Sequence, residues 1–170
     1  MPLNVEIKAK TNRPAEIRAI LHDLHALEKG TDHQTDTYFY CSNGRMKLRQ
    51  GNIENNLIFY RRGDQAGPKT AEVFLYSATP GPELKALLRE AMGVWKEVVK
   101  TREIYFIDNV KFHLDQVEGL GSFVEIEAID TEGLISEEVL LAQCQQYMQL
   151  LGIAEGDLLT SSYSDMLGNG

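Results

Sequence analysis

Charged side chains occupy alternate positions in five segments of this chain, a spacing that puts them on one face of an extended strand. In the first segment Glu6, Lys8 and Lys10 share one face, and apolar residues occupy the other. The charged members of the other four segments are Arg45, Lys47 and Arg49; Lys96, Lys100 and Arg102; Lys111, His113 and Asp115; and Glu125 and Glu127. Carboxylates bind hard divalent cations, whereas lysine and arginine bind phosphate oxygens. These residue types could therefore hold a phosphate-rich ligand together with a divalent metal.

The elements that position these residues are strands and three helices. Apolar residues recur at helical spacing over roughly 14–27, 82–92 and 136–151. Asn12 and Ser136 are expected to cap the first and third helices, while Gly93 and Gly152 are expected to follow the second and third. The predicted strands are 3–10, 35–41, 45–50, 56–62, 71–77, 94–101, 103–107, 110–117 and 121–129. The sequence contains no internal repeat or linker, so we expect a single α+β domain over residues 1–170, mainly antiparallel β.

The charged strand faces have two interpretations. Any one of them is most simply a solvated face, because charge is common on the outer face of an antiparallel sheet. The three helices, however, need an apolar surface to pack against, and the apolar strand faces supply it. If helices cover those faces from outside, the charged faces must meet one another inside a closed sheet. The sequence therefore predicts a closed β-barrel with a charged lumen and with helices packed outside.

A lumen of this kind has a chemical consequence. Several cations enclosed beside several carboxylates are costly unless ligand, metal and water satisfy the charges. A polyphosphate suits the cations, and Mg²⁺ or Mn²⁺ suits the carboxylates and can bridge phosphates. Such a combination is typical of phosphoryl transfer, in which positioning and charge neutralisation supply most of the catalysis.

Composition limits the partners and the setting. The formal net charge of -8 argues against a general nucleic-acid or membrane-surface binder, because such proteins carry a basic excess. No apolar run is long enough to span a bilayer, and residues 1–10 lack a signal-peptide pattern. Cys41 and Cys144 are far apart, which indicates neither a zinc site nor a disulfide framework. We therefore expect a cytoplasmic protein whose partner is a small molecule, with no nucleic-acid polymer and no membrane.

Five segments resemble the CYTH, or triphosphate tunnel metalloenzyme, superfamily. Residues 4–10, Asn-Val-Glu-Ile-Lys-Ala-Lys, resemble its opening ExExK signature. Residues 34–49 are similar to its second basic block, 94–102 to its V-x-K-x-R strand, 113–127 to its late metal-binding strands and 162–167 to its closing segment. The five blocks occur in family order over nearly the whole chain, and residues 8–10 and 120–127 are most similar to the class IV adenylyl cyclase-like branch.

The resemblance implies an eight-stranded triphosphate tunnel and a role for individual residues. The implied metal ligands are Glu6, Glu125 and Glu127, with Asp115 as a further candidate. The implied phosphate-binding residues are Lys8, Arg45, Lys47, Arg49, Arg62, Lys100 and Arg102, and Lys96 shares their strand face. A lysine of the first strand, Lys8 or Lys10, would orient or activate the attacking water in hydrolytic members. A homodimer is an expectation at the level of the family.

Two departures from the family pattern bear on activity. Asn4 stands where the first glutamate of ExExK is expected, so an uncharged amide replaces a carboxylate. Residues 56–62 and 69–72 match only loosely the R-x-E-x-E-like strand of many relatives. Both departures indicate a weakened metal site, a shifted substrate or a lost activity.

The sequence leaves two classes of function open. The first is an enzyme acting on ATP or another organic or inorganic triphosphate, either as an adenylyl cyclase that releases pyrophosphate or as a triphosphate phosphohydrolase. The second is a non-catalytic binding module for polyphosphate or a phosphorylated metabolite. His113 could act in acid–base chemistry or could be a hydrogen-bonded lumen residue. Tyr38 and Tyr60 are expected to pack within the barrel and not to stack on a ligand.

Overall fold

The computed structural model describes residues 3–62, 66–77 and 81–168, except the side chain of Arg62. The strands within these ranges are β1 (Leu3–Lys10), β2 (Leu27–Phe39), β3 (Arg45–Gln50), β4 (Asn55–Arg62), β5 (Lys69–Ser77), β6 (Val94–Ile107), β7 (Val110–Val117) and β8 (Gly121–Asp130). The helices are α1 (Pro14–Asp23), α2 (Pro82–Met92), α3 (Glu137–Leu150) and the short α4 (Tyr163–Met166), with a 3₁₀ turn at Glu155–Asp157. No helix within the described ranges combines the length and apolar composition needed to cross a membrane.

The eight strands pair antiparallel and close into a barrel. Their order around the barrel is β1-β5-β4-β3-β2-β6-β7-β8, and β1 closes the ring by pairing with both β5 and β8. The closed barrel predicted from the alternating charges and the eight strands implied by the family resemblance are therefore confirmed.

The long β2–β6 pair is the main difference from the predicted elements. β2 begins at Leu27 instead of residue 35, and the two predicted strands 94–101 and 103–107 form one continuous β6. The two strands pair from Leu27 opposite Phe106 to Phe39 opposite Val94, with a bulge at Gly30. Residues 27–34 are mostly polar and have little strand preference of their own, so it is the pairing with β6 that makes them a strand.

The helix ends partly follow the predicted capping. Ser136 accepts a hydrogen bond from the Val139 amide, as predicted, and Gly93 ends α2 at a φ of 78°. The predicted Asn12 cap is wrong, because α1 starts at Pro14 after Arg13 without a side-chain cap. The first helix also ends at Asp23 instead of residue 27, since the following backbone turns at His25 with a φ of 58°.

The main hydrophobic core lies outside the barrel, beneath α1 and α3. Ile7 of β1, Phe112 of β7 and Ile126 of β8 are fully buried there with Leu21 of α1 and Leu140 of α3. Because the apolar strand faces turn outward to meet the helices, the charged faces turn inward. A second cluster lies at one end of the barrel, where α4 places Tyr163 against Phe123, with ring centroids 5.0 Å apart.

Candidate functional site

The barrel encloses a cavity of about 370 Å³. Eight of the residues implicated by the sequence line it together: Glu6, Lys8, Lys47, Arg49, Lys100, Arg102, Glu125 and Glu127. They come from four strands that are far apart in sequence, β1, β3, β6 and β8, of which β1 and β8 are neighbours in the ring. The predicted charged faces therefore do share one interior.

Asp36 of β2 is the centre of the first charge cluster. Its buried carboxylate accepts two hydrogen bonds from the Arg49 guanidinium at 2.9 and 2.8 Å and one from Lys100 Nζ at 2.8 Å, and Lys47 Nζ lies 3.2 Å away. Burial alone would raise the pKa of Asp36, but Arg49, Lys100 and Lys47 hold that pKa well below its ordinary value. Burial also lowers the pKa of Lys100, so Arg49 is the more permanent counter-ion. The carboxylate thus aligns three cations along one wall.

Arg102 of β6 is the centre of the second cluster. Its guanidinium donates two hydrogen bonds to Asp115, both of 2.7 Å, and one more to Glu125 at 3.5 Å. The Tyr163 hydroxyl also donates to Asp115, at 2.7 Å. Asp115 therefore fixes the position of the Arg102 guanidinium. Asp115 is not among the residues that line the cavity with the other predicted metal ligands.

The third cluster is a set of candidate metal ligands on β7 and β8. One ligand atom each from His113, Glu125 and Glu127 lie within 4.8 Å of one another. His113 Nδ1 is 3.7 Å from Glu125, too far for a hydrogen bond, and neither ring nitrogen has a partner among the described residues. Burial lowers the pKa of His113 to about 4, so its imidazole is neutral at pH 7. A buried, neutral and unpartnered imidazole beside two carboxylates fits a divalent cation, with His113 added to the predicted set.

Asn4 and Glu6 of β1 complete this cluster. The Asn4 amide donates a hydrogen bond of 2.5 Å to Glu127, while Glu6 stands opposite Glu127 in the β1–β8 register and also lines the cavity. Burial raises the pKa of Glu127 to about 7, and the neighbouring Glu6 and Glu125 add to the effect. A glutamate at position 4 would bring one more negative charge to this crowded place, whereas asparagine brings a hydrogen-bond donor.

Three residues implicated by the sequence, Arg45, Lys96 and Lys10, are not brought to the described cavity wall. Arg45 is half-exposed, with Asp165 at 3.2 Å and the Trp95 ring at 5.1 Å. Lys96 donates to the carbonyl of Gly168, and Lys10 is exposed at the end of β1 beside Asn12 and Arg13. The side chain of Arg62 lies outside the described part of the chain. Lys10, Arg45 and Lys96 occupy the same alternate positions as the residues that face the lumen. Because they lie at or near strand ends, their side chains are outside the cavity.

Sequence reasoning missed several residues that organise the site. Asp36 continues the alternation of Asp32 and Gln34, all three being buried, but the predicted strand began too late to include that pattern. Glu54 lies between β3 and β4, pairs with Lys111 and lies 3.4 Å from Arg49. A loop residue has no periodicity, so no sequence signal could have selected Glu54. Tyr38 and Tyr60, expected to pack only, also line the cavity.

Comparisons with known proteins agree with this architecture. Residues 2–163 match the family model of the CYTH domain. A relative from Methanocaldococcus jannaschii, provisionally named an adenylate cyclase, is 29% identical over 69 residues, which are 41% of this chain and 39% of that protein. The aligned region thus spans about two fifths of the relative.

Solved structures show the same fold. The PH1012 protein from Pyrococcus horikoshii has a TM-score of 0.80 at 24% identity, covering 98% of this chain and 99% of that one. HpAC1 from Hippeastrum, a provisional adenylyl cyclase in which triphosphatase activity dominates, has a TM-score of 0.65 at 17% identity, covering 98% and 94%. The family match extends over nearly the whole chain and coincides with the closed barrel and its charged lumen, and this chain therefore belongs to the CYTH domain family.

Proposed function

We propose that this chain is a metal-dependent enzyme that binds a triphosphate in the barrel cavity and hydrolyses its terminal phosphoanhydride. The observation that carries the proposal is the presence of two groups of side chains on the wall of one cavity. Lys8, Arg49, Lys100 and Arg102 offer phosphate-binding cations, and the His113–Glu125–Glu127 cluster offers metal ligands. Phosphoryl transfer needs both together, because little covalent chemistry is asked of the protein.

The charge balance of the cavity supports a ligand that arrives with metal. The described cations on its wall are Lys8, Lys47, Arg49, Lys100, Arg102 and Lys111. An equal number of carboxylates line the cavity or pair with these cations, namely Glu6, Asp36, Glu54, Asp115, Glu125 and Glu127. A triphosphate adds several negative charges to this balanced set, so it needs divalent cations beside it.

The metal would be held by His113, Glu125 and Glu127, with Glu6 next to them. When bound, it would neutralise charge on the phosphate oxygens and polarise the phosphorus towards attack. A histidine ligand is less typical of Mg²⁺ than of transition metals, which favours Mn²⁺ over Mg²⁺ at this site.

The remaining roles belong to cations that the fold already orients. Arg102 is fixed by Asp115 and would bind phosphate oxygens through the guanidinium edge that faces the cavity. Lys8 lies opposite Glu125 in the β1–β8 register, with its ammonium 3.9 Å from the centre of the Tyr163 ring. We assign the orientation of the attacking water to Lys8 and not to Lys10, which is exposed at the strand end.

Two outcomes of the reaction differ in the nucleophile. Water attacking the terminal phosphorus releases orthophosphate and leaves a diphosphate, whereas a ribose 3′-hydroxyl attacking the α-phosphorus of ATP releases pyrophosphate. We favour hydrolysis, because it needs only water at the metal-bound phosphate, and because triphosphatase activity dominates in the Hippeastrum protein of the same fold. Adenylyl cyclase activity is the second candidate function, because the Methanocaldococcus jannaschii relative is provisionally named an adenylate cyclase.

The test is turnover of tripolyphosphate, ATP and thiamine triphosphate with Mg²⁺ or with Mn²⁺, with orthophosphate, pyrophosphate and cyclic AMP each quantified. We expect orthophosphate release that is faster with Mn²⁺ and is lost in Glu125→Ala but not in the exposed control Glu118→Ala. Cyclic AMP with stoichiometric pyrophosphate would instead identify the cyclase. Tight binding of all three ligands without metal-dependent turnover would identify a non-catalytic binding module, which the loss of a carboxylate at Asn4 favours.

A further inference from the structure

One side of the barrel cavity is built of hydrocarbon. Ile58 on β4, Ala71, Val73 and Leu75 on β5, and Ile129 on β8 line the same cavity as the charged residues. We call these five residues the apolar wall. Ala71, Val73 and Leu75 alternate along β5 and Ile58 stands opposite Leu75, so these four lie next to one another. Ile129 lies beyond Asn4, which stands opposite both Ala71 and Ile129.

The apolar wall is not part of the hydrophobic core that holds the fold together. The core lies outside the barrel under α1 and α3, whereas these side chains point into the lumen. Leu75 is 56% exposed although it lines the cavity, so the wall extends to the cavity mouth. Ile58 and Ala71 are only 7% and 3% exposed, so a ligand would cover further apolar area chiefly at Val73, Leu75 and Ile129, where that burial is favourable.

The apolar wall also adjoins the candidate metal cluster. Asn4 lies between Ala71 and Ile129 in the strand register, and its amide donates to Glu127. A group attached to a metal-bound phosphate would therefore meet hydrocarbon as soon as it left the ionic part of the cavity. An inorganic polyphosphate has no such group and would place charge against this surface.

We propose that the substrate is an organic triphosphate whose organic part is a hydrocarbon chain or ring. The inference rests on the proposed function and narrows its substrate. A nucleobase fits this wall less well, since Ile58, Val73, Leu75 and Ile129 offer no hydrogen-bonding side-chain atom to the polar edge of a base. Ala71 likewise adds no polar contact, so the apolar wall itself selects for apolar area, while Asn4 and Asn56 are polar members of the same cavity lining.

The direct test is a homologous series of ligands. Methylene-bridged, hydrolysis-resistant methyl, butyl and hexyl triphosphates would be titrated calorimetrically with Mn²⁺ present, beside the bridged analogues of tripolyphosphate and ATP. We expect affinity to rise with chain length, by up to about fourfold for each CH₂ that reaches the wall. Hexyl triphosphate should bind more tightly than either tripolyphosphate or ATP.

Matched substitutions separate the wall from the ionic part of the cavity. Val73→Thr keeps the side-chain shape but puts a hydroxyl on the wall, and Val99→Thr makes the same change on the outside of β6, where Val99 is 43% exposed. We expect Val73→Thr to weaken hexyl triphosphate several-fold and to leave tripolyphosphate unchanged, while Val99→Thr changes neither. Unchanged affinity for tripolyphosphate also shows that the variant is folded.

The outcomes distinguish this inference from the proposed function. Equal affinities along the alkyl series, or an ATP analogue as tight as the hexyl ligand, would overturn the inference and leave a triphosphate enzyme in place. Failure of every ligand to bind, tripolyphosphate included, would instead remove the proposed function itself.

Discussion

The two sides of the barrel cavity differ in how they are held before any ligand arrives. The ionic wall, formed by the charged residues of β1, β2, β3, β6, β7 and β8, is cross-linked by Arg49 to Asp36 and by Arg102 to Asp115. The apolar wall on β4, β5 and the end of β8 has no such links between its side chains. Buried charges must be paired to be tolerated, whereas hydrocarbon needs only cover. The side chains of the ionic wall are therefore held in position before a ligand binds. The apolar wall determines only that the part of the ligand in contact with it must be apolar.

The largest effect is expected from breaking the ionic wall. Arg102→Ala should lower the free energy of unfolding by about 3–5 kcal/mol and abolish turnover, because it leaves Asp115 buried without its cation. Urea denaturation measures the loss in the free energy of unfolding. The control is Arg61→Ala, which breaks an ion pair with Glu72 in which both side chains are about half-exposed. That control should cost no more than about 1 kcal/mol. Equal losses in the two variants would contradict the difference between buried and exposed pairs.

Removing one of the proposed metal ligands should affect catalysis more than stability. His113→Ala should reduce Mn²⁺-dependent turnover by about a hundredfold, in the range found for loss of ligands or their supports, and Mn²⁺ affinity should fall with it. Because the imidazole is neutral and its ring nitrogens have no hydrogen-bond partner among the described residues, the substitution removes no buried charge. Electron paramagnetic resonance of Mn²⁺ binding is the measurement, with exposed His22→Ala as control. Full Mn²⁺ affinity in His113→Ala would remove His113 from the ligand set.

The pH dependence of the metal-free protein tests the crowding of carboxylates. Burial raises the pKa of Glu127 to about 7, above the ordinary value of 4.5. Its contribution to stability is thus complete below about pH 4.5 and is lost as the pH rises through about 7. Glu127→Gln mimics the neutral form, so it should match the wild type near pH 4.5 and exceed it at pH 8 by about 3 kcal/mol.

Urea midpoints at both pH values, measured with a chelator present, give this comparison directly. Glu118→Gln on the surface provides the control and should follow the wild type throughout. A Glu127→Gln variant less stable than the wild type at pH 8 would show that the ionised carboxylate is well compensated in the metal-free state.

The smallest effect is expected on the apolar wall. Leu75→Ala should change the free energy of unfolding by less than about 1 kcal/mol, since surface positions contribute little. Leu48 is fully buried on the outer face of β3. Leu48→Ala should therefore lower the free energy of unfolding by about 2–5 kcal/mol. Thermal unfolding of the two variants without ligand is sufficient. A similar loss in both would make the apolar wall part of the folding core and not a ligand surface.

Local patterns predicted a large part of this fold. The limits of β1, β3, β7 and α2 agree with the predicted ones, because alternation and capping are read from neighbouring residues. The start of β2 was wrong, since residues 27–34 take their conformation from β6. The same error concealed Asp36, whose role depends on three cations from two other strands.

The sequence by itself determined which residues share a strand face, that these faces carry both cations and carboxylates, and that covering helices require a closed barrel. Only the tertiary structure decided which of these charges meet. It placed Asp115 behind Arg102, put His113 with Glu125 and Glu127, and left Arg45 and Lys10 outside the cavity. The physical reason is that side-chain alternation is a property of one strand, whereas register, closure and the position of the barrel rim are properties of all eight strands together.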